Sequence, residues 1–274
     1  EGITSYYDDL AMVRSGVIDV DSYLELLGQI ITRVVRGSGR LRQTVQESSF
    51  DAWTKFYKQD ENAPNAIVSY YTKGALIALA LDLTIRRDSS DTKSLDDVMR
   101  TLWRDHGKPD VGLGEGDMER LVADVTGLDL TQFFDTALRG VDDLPLEDLL
   151  GGVAVGYAVR PAANSGDKGG LRPESAKPSR PTPDLGVIQG KDALGALLVS
   201  VLDYGPARAA GLSAGDVIIA LDAIRVTSDN LDQLLSRQRI GDTLEAHAFR
   251  RDELLRFQVA MQPASANTCE LWRL

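Results

Sequence analysis

The sequence predicts an all-α helical domain followed by a small, partly open β-barrel that carries two helices. Through residues 1–150 apolar residues recur at helical spacing, and after Gly152 the spacing changes to the alternation that is typical of strands. The chain has 274 residues, which is enough for two domains. Hydrophobic residues make up 43% of it, so each domain has material for a core.

The helical domain is predicted over residues 1–150. Segments with a single apolar stripe start near Ser22, Leu95, Met118 and Phe133. The segment from Ile67 to Arg87 is apolar nearly all round, and a helix of that kind is buried on most sides. We therefore expect several amphipathic helices packed around this one.

The second domain is predicted over residues 151–264. The alternation of Val153, Val155, Tyr157 and Val159 indicates a strand. Residues 161–183 are rich in Pro and Gly and have few side chains that pack a core, so we expect a flexible connection there. After it, short strands and turns dominate, and residues 265–274 are expected to form a C-terminal tail.

The charge and the hydropathy pattern exclude several classes of partner. The formal net charge is −11, which disfavours binding to nucleic acid or to an anionic membrane surface. The longest apolar run, Ala75–Leu81, is far shorter than the ~18 residues of a membrane span. We therefore expect a soluble protein. The single cysteine, Cys269, cannot form an intrachain disulfide, so the compartment stays open between the cytoplasm and the periplasm.

A specific motif lies in the second domain. Residues 205–222 read GPARAAGLSAGDVIIALD, and DLGV at residues 184–187 precedes them. The longer stretch resembles the PA-x-x-AGL-x-x-GD-x-I signature of PDZ domains in bacterial proteases. Such domains add a peptide as an extra strand, and the loop before that strand presents N–H groups to a terminal carboxylate. Asp222-Ala223 departs from the usual Asp-Gly, so a different turn type is expected there.

The resemblance implies a peptide-binding groove with two walls. Gly186 is expected to let the backbone approach a ligand closely. We expect the ligands to be peptides or protein C-termini. The predicted peptide-binding residues are Leu185, Gly186, Val187 and Ile188 on one wall and Leu231, Leu234 and Leu235 on the other.

Four further stretches lie in the helical domain: EGITSYYDDL at residues 1–10, ENAPN at 61–65, VSYYTKGAL at 68–76 and SLDDVM at 94–99. Together they resemble the glycyl aminopeptidase family of gluzincin zinc metallopeptidases, whose members end in a PDZ-like domain. The family's third zinc ligand is the Glu of a Glu-Gly pair, which Glu1 matches. Its oxyanion-stabilising tyrosine is placed on Tyr71, with Tyr70 as the alternative. The resemblance also implies a preference for small N-terminal residues, Gly or Ala.

The chain departs from the family in one decisive respect. Its histidines are His106 and His247, and neither lies in the H-E-x-x-H arrangement that supplies two zinc ligands and the general base. Zinc is therefore expected in the intact parent enzyme and not in this chain alone. The chain also starts without Met, so we interpret it as the C-terminal fragment of an aminopeptidase, inactive alone and partnered by the upstream catalytic region of the same parent.

Two other readings stay open. The chain would act as a non-catalytic adaptor if the PDZ-like module binds peptides on a helical platform. Alternatively, the module would serve only to form dimers or to cover an exposed helical face.

Overall fold

A computed structural model describes residues 1–173 and 182–274. It confirms the predicted fold class, a helical part followed by an open β-domain with two helices. The helices of the first part are α1 (Gly2–Arg14), α2 (Val20–Arg36), α3 (Val45–Phe50), α4 (Ala63–Ala66), α5 (Thr72–Asp88), α6 (Leu95–Leu102), α7 (Asp117–Thr126), α8 (Thr131–Phe134) and α9 (Leu146–Gly151). Shorter helical turns lie at Ser38–Leu41, Phe56–Lys58, Trp103–Gly107 and Asp135–Arg139.

Helix α5 is the centre of the helical part. Nearly all of its residues from Ala75 to Ile85 are buried, as the apolar sequence requires. α1, α2, α6 and α9 pack around it. The helix begins at Thr72, five residues later than the sequence predicts, and Tyr71 precedes its first turn. Tyr71 therefore lies half-buried at the N-terminus of the buried helix rather than within it.

A small sheet also belongs to the helical part. β1 (Val155–Pro161) pairs antiparallel with β11 (Ala266–Arg273), and β2 (Gly170–Leu171) pairs parallel with the other side of β11. This corrects the expectation of a C-terminal tail at 265–274. Cys269 and Leu271 are fully buried in the same core as α2 and α5, so a strand at the chain end completes the helical core. Residues 174–181 of the predicted flexible connection lie outside the described residues.

The PDZ-like module has its own core and its own sheet. Its elements are β3 (Pro183–Asp184), β4 (Val187–Lys191), β5 (Ala196–Val201), α10 (Pro206–Ala209), β6 (Val217–Leu221), β7 (Ile224–Arg225), α11 (Leu231–Leu235), β8 (Thr243–Arg250), β9 (Glu253–Ala260) and β10 (Gln262–Pro263). The strands of the sheet follow the order β4-β5-β6-β8-β9, with β7 paired to β6 and with β4 at one edge. β3 and β10 form a separate two-stranded pair.

The turn at Asp222-Ala223 keeps the usual backbone conformation despite its alanine. Leu221 pairs with Ile224 across it, and both central residues have positive φ, 46° and 62°. Positive φ at both positions is what a two-residue type I′ hairpin turn requires. The expected change of turn type is therefore wrong, and Ala223 is held in a left-handed conformation that an alanine adopts at a cost.

Throughout the described ranges, the helices are too short or too polar to cross a lipid bilayer.

Candidate functional site

The first site begins where α1 crosses α5. A Cβ atom on Gly2 would lie 2.6 Å from the carbonyl carbon of Gly74, and a Cβ on Gly74 would lie 3.0 Å from the Cα of Gly2. Both positions therefore need glycine because the two backbones touch. This contact explains why one predicted motif carries Glu-Gly and the other carries Tyr-Thr-Lys-Gly. It brings the start of α1 beside the start of α5.

The crossing places Glu1 near a cluster of three tyrosines. The Tyr57 hydroxyl lies 2.6 Å from the Tyr71 hydroxyl and 3.1 Å from the Tyr70 hydroxyl. The rings of Tyr70 and Tyr71 are 4.4 Å apart between centroids. Glu1 is close enough for its negative charge to raise the pKa of Tyr71. Two residues that the sequence separates by about seventy positions are thus brought together.

The hydrogen bonds shift the pKa of Tyr57 in one direction and the pKa values of Tyr70 and Tyr71 in the other. The bonds with Tyr70 and Tyr71 lower the pKa of Tyr57. The bond with Tyr57 is the main cause that raises the pKa of Tyr71, and it likewise raises the pKa of Tyr70. At neutral pH the Tyr71 phenol therefore keeps its proton and is available as a hydrogen-bond donor. The sequence reasoning missed Tyr57, for which no local motif gives a signal.

An exposed aromatic surface borders this cluster. Phe50 and Trp53 have 89% and 78% of their surface exposed, and Trp53 packs on Tyr57 with a centroid distance of 5.1 Å. Large aromatic side chains that are mostly exposed side by side are typical of interaction or ligand-binding surfaces. The tyrosine cluster therefore lies next to a surface suited to further contacts.

Glu1 has no two further metal ligands beside it among the described residues. In the parts of the chain that the structure describes, no three His, Cys, Asp or Glu side chains cluster as metal ligands. Catalytic zinc takes three protein ligands. His106 lies in the helical turn Trp103–Gly107 and His247 lies on β8, so the two histidines belong to different parts of the molecule. Glu1 offers one ligand only.

The second site is the groove of the PDZ-like module. Ile188 on the edge strand β4 is 42% exposed, and Leu231 and Leu235 of α11 line the same cavity as β4. Leu185 is fully buried in the core of the module, and Leu234 packs in that core as well. These two residues lie in the core behind the predicted groove.

Gly186, which is predicted to let a ligand approach the backbone, has a structural role in the packing of the module. Its φ is +69°, and a Cβ atom on it would lie 2.4 Å from the Cα of Gly205. Its carbonyl accepts a 2.8 Å hydrogen bond from the N–H of Leu202. The close packing of two backbone segments therefore requires glycine at this position. Its role in ligand approach stays a prediction.

The groove opens into a cavity of about 1070 Å³ between the two parts of the chain. One wall is formed by β4 and α11, and the opposite wall by α2 and by residues 56–72. The volume is at the upper end of the range for ligand pockets, 300 to about 1,000 Å³. The groove therefore faces the helical part, and an occupant would touch both.

Asn65 of the ENAPN motif fixes this arrangement. Its side-chain amide donates to the carbonyl of Val201 at 2.8 Å, and its amide oxygen accepts from the N–H of Asp203 at 3.0 Å. The Asn65 side chain is 1% exposed. Arg42 adds an ion pair with the carboxylate of Asp203 at 2.6 Å. In the sequence the ENAPN motif carries only the family resemblance, and its role in holding the PDZ-like module becomes visible in the fold.

Comparison with known proteins identifies the two parts of the chain. Residues 1–77 match the model of the M61 glycyl aminopeptidase family, and residues 175–261 match the PDZ domain model. The crystal structure of an aminopeptidase N family protein from Idiomarina loihiensis is 39% identical, with a TM-score of 0.91. The match covers 100% of this chain and 46% of that one, so this chain spans about half the length of that relative.

Two proteases match about a third of this chain. The HtrA-type protease AlgW, solved with a decapeptide, is 21% identical over 31% of this chain and 30% of that chain, with a TM-score of 0.29. A serine endoprotease from Yersinia pestis is 21% identical over 31% of this chain and 30% of that chain, with a TM-score of 0.27. No curated protein matches significantly. The helical part of this chain belongs to the M61 glycyl aminopeptidase family, and its C-terminal module is a PDZ domain.

Proposed function

We propose that this chain is the C-terminal part of a zinc-dependent aminopeptidase that prefers small N-terminal residues, Gly or Ala. The observation that carries the proposal is the Gly2–Gly74 contact, which joins the starts of α1 and α5 and leaves Tyr71 within electrostatic reach of Glu1. The relative of twice the length supports the view that further catalytic residues lie in another part of the parent protein. The preference for Gly and Ala rests on the family resemblance.

In this proposal Glu1 supplies one zinc ligand, and the other ligands come from the rest of the parent. Bound zinc would polarise the scissile carbonyl and activate a water molecule. Tyr71 donates its phenolic proton in a hydrogen bond to the oxyanion that develops on the carbonyl. The Tyr57 and Tyr71 hydroxyls lie 2.6 Å apart, and either can donate. This hydrogen bond orients the phenol, and when Tyr57 is the donor it leaves the Tyr71 proton for the substrate.

The test uses the longer parent protein, its zinc content and its hydrolysis of Gly and Ala arylamides. Glu1→Gln is expected to lower the zinc content. Tyr71→Phe should keep the zinc and lower kcat by about 10²- to 10³-fold, the usual effect of losing one oxyanion donor. Tyr70→Phe decides between the two adjacent tyrosines.

Asp8→Asn is the matched control for Glu1→Gln, because Asp8 is an exposed carboxylate on the same helix α1. It should leave zinc content and rate unchanged. Full activity in both Tyr71→Phe and Tyr70→Phe would contradict the assigned role of this cluster. A parent that binds no zinc would contradict the proposal as a whole.

We also propose that the PDZ domain binds extended peptides along β4. The support is that β4 is an edge strand beside an open cavity, which is the arrangement that strand addition needs. Ile188→Lys should weaken the binding of an apolar labelled peptide to the 274-residue chain. Ile224→Lys is the control, because Ile224 is similarly exposed, at 51%, and lies on β7 away from the cavity. Equal affinities of the two variants would refute the assignment of β4.

A further inference from the structure

One segment of the helical part runs from the PDZ domain to the tyrosine cluster. Asn65 is hydrogen-bonded to the backbone of the PDZ domain at Val201 and Asp203, and six positions later the segment reaches Tyr71. The residues of this segment that line the large cavity are Pro64, Ile67, Val68, Ser69 and Thr72. The cavity therefore extends from the PDZ domain to the start of α5.

Phe56 lies between the cavity and the tyrosine cluster. It lines the cavity, and its ring centroid is 5.5 Å from that of Tyr57, 5.3 Å from that of Tyr70 and 5.8 Å from that of Tyr71. Thr72, which directly follows Tyr71, lines the cavity as well. One aromatic ring thus belongs both to the cavity wall and to the packing of all three tyrosines.

The other end of the cavity is the groove of the PDZ domain. Ile188 of the edge strand β4 lines it, together with Leu231 and Leu235 of α11. An edge strand binds an extended chain through main-chain hydrogen bonds. The cavity therefore has a wall suited to a peptide backbone at one end and the tyrosine cluster at the other.

The substrate of an aminopeptidase extends away from the active site in one direction, because only its N-terminal residue lies at the scissile bond. Two surfaces start at the tyrosine cluster, the cavity and the aromatic side chains of Phe50 and Trp53. The cavity has a wall from each part of the chain, whereas Phe50 and Trp53 are 89% and 78% exposed. Enclosure between walls is typical of ligand sites, and it favours the cavity.

We infer that the cavity is the substrate path of the peptidase: a peptide with its N-terminal residue near Glu1 and Tyr71 passes Phe56 and residues 64–72 and pairs farther along with β4. The PDZ groove then holds the downstream part of the same peptide that is cleaved. The substrates are extended peptides of several residues rather than dipeptides. This path rests on the proposed function, since it needs both the aminopeptidase centre and the binding of peptides along β4.

The path gives the attachment at Asn65 a functional reason. A peptide that is bound at both ends needs the two ends of its site at a constant separation. The buried Asn65 side chain fixes the PDZ domain on the same segment that lines the cavity. Ile67, which is partly exposed in the middle of that segment, is then a residue that contacts substrate.

The test compares kcat/KM of the longer parent protein for two substrates with the same scissile bond, a Gly-Leu dipeptide and an apolar hexapeptide that begins with Gly-Leu. Both are C-terminal amides, so a terminal carboxylate contributes to neither. The wild type should prefer the hexapeptide. Ile67→Lys and Ile188→Lys should each lower the ratio of hexapeptide to dipeptide about tenfold, the usual effect of losing one apolar side-chain contact.

Two variants serve as controls. Ile224→Lys should leave the ratio unchanged, because Ile224 is exposed on β7 away from the cavity. Trp53→Ala separates the two surfaces that start at the tyrosine cluster, and it should also leave the ratio unchanged. Because each ratio is taken within one variant, partial misfolding cannot produce a change in it. A ratio that falls in Trp53→Ala and not in Ile67→Lys would overturn the path through the cavity.

A second readout does not depend on hydrolysis. The hexapeptide, labelled at its C-terminal end, is titrated with the 274-residue chain without added metal and followed by fluorescence anisotropy. Ile67→Lys should weaken its binding about tenfold, and an unchanged affinity would overturn the contribution of the helical wall. Equal kcat/KM of the wild-type parent for both substrates would overturn the path alone. A parent that hydrolyses neither substrate would contradict the aminopeptidase proposal and the path with it.

Discussion

The substitution Asn65→Ala tests how the PDZ domain is held on the helical part. Asn65 is 1% exposed and makes two hydrogen bonds to the backbone of the PDZ domain, to Val201 at 2.8 Å and from Asp203 at 3.0 Å. A buried backbone group that loses its partner costs about 1–3 kcal/mol. With two such groups, we expect the free energy of unfolding to fall by about 2–6 kcal/mol. That is a large fraction of the stability of a typical domain.

The assay is chemical denaturation followed by two signals. Trp53, Trp103 and Trp272 all lie in the helical part or its small sheet, so tryptophan fluorescence reports that part, whereas circular dichroism reports both. The two transitions should coincide in the wild type. In Asn65→Ala they should separate, because the PDZ domain loses its attachment and unfolds at lower denaturant concentration.

Asn62→Ala is the control for this experiment. Asn62 is exposed, and its side-chain oxygen accepts a 3.0 Å bond from the Asn65 amide. Its loss should cost less than about 1 kcal/mol, since solvent replaces it. If Asn65→Ala were as stable as Asn62→Ala, with coincident transitions, Asn65 would not be the link between the two parts.

Three further predictions concern single residues. Ala223→Gly should raise the free energy of unfolding by about 1 kcal/mol in the same denaturation assay, because Ala223 has φ +62° and glycine adopts that conformation without strain; an unchanged value would contradict this. Burial raises the pKa of the Cys269 thiol to about 12, so its alkylation by iodoacetamide in the native chain at pH 8 should be slower than in the unfolded chain by about a thousandfold; equal rates would contradict this. Burial alone would raise the pKa of Asp167, but hydrogen bonds from Arg160, Ala163 and Gly169 hold it to about 2. Because the folded pKa is depressed, Asp167 stabilises the fold above about pH 4 and this contribution is lost as pH falls towards 2. Asp167→Asn should flatten that acid dependence, and an unaltered pH profile would contradict the assignment.

Periodicity predicts the elements whose burial follows from their own residues. The apolar run of α5 is buried as its sequence requires, and the PDZ domain consists of the short strands and turns that its sequence predicts. Motifs with strong local constraints are equally readable, since Gly211 and Gly215 of the motif at residues 205–222 both have positive φ. The turn at Ala223 shows the limit of such rules, because the pairing of β6 and β7 outweighs the preference of one alanine.

Local sequence patterns do not predict contacts between residues that are far apart in the chain. Residues 266–273 look like a polar chain end, yet Cys269 donates its N–H to the Thr32 hydroxyl at 2.8 Å, across 237 residues. The attachment through Asn65 and the hydrogen bond of Tyr57 to Tyr71 likewise join segments with no common period. Arg36 is one more charge on an amphipathic helix in the sequence, and its place in the wall of the cavity follows only from the packing of α2.

By itself, the sequence determined that the chain has a helical part and a PDZ domain, and its motifs indicated Glu1, Tyr71 and the β4 segment as residues of interest. These conclusions depend on spacing and on backbone requirements that act over a few residues. The tertiary structure decided that Glu1 lies within electrostatic reach of Tyr71, that the chain end completes the helical core, and that the groove of the PDZ domain faces α2. Each of these depends on surfaces that meet only after the chain has folded. Close backbone contact at Gly2 and Gly74 fixes α1 on α5, and buried hydrogen bonds at Asn65 fix the PDZ domain on the helical part.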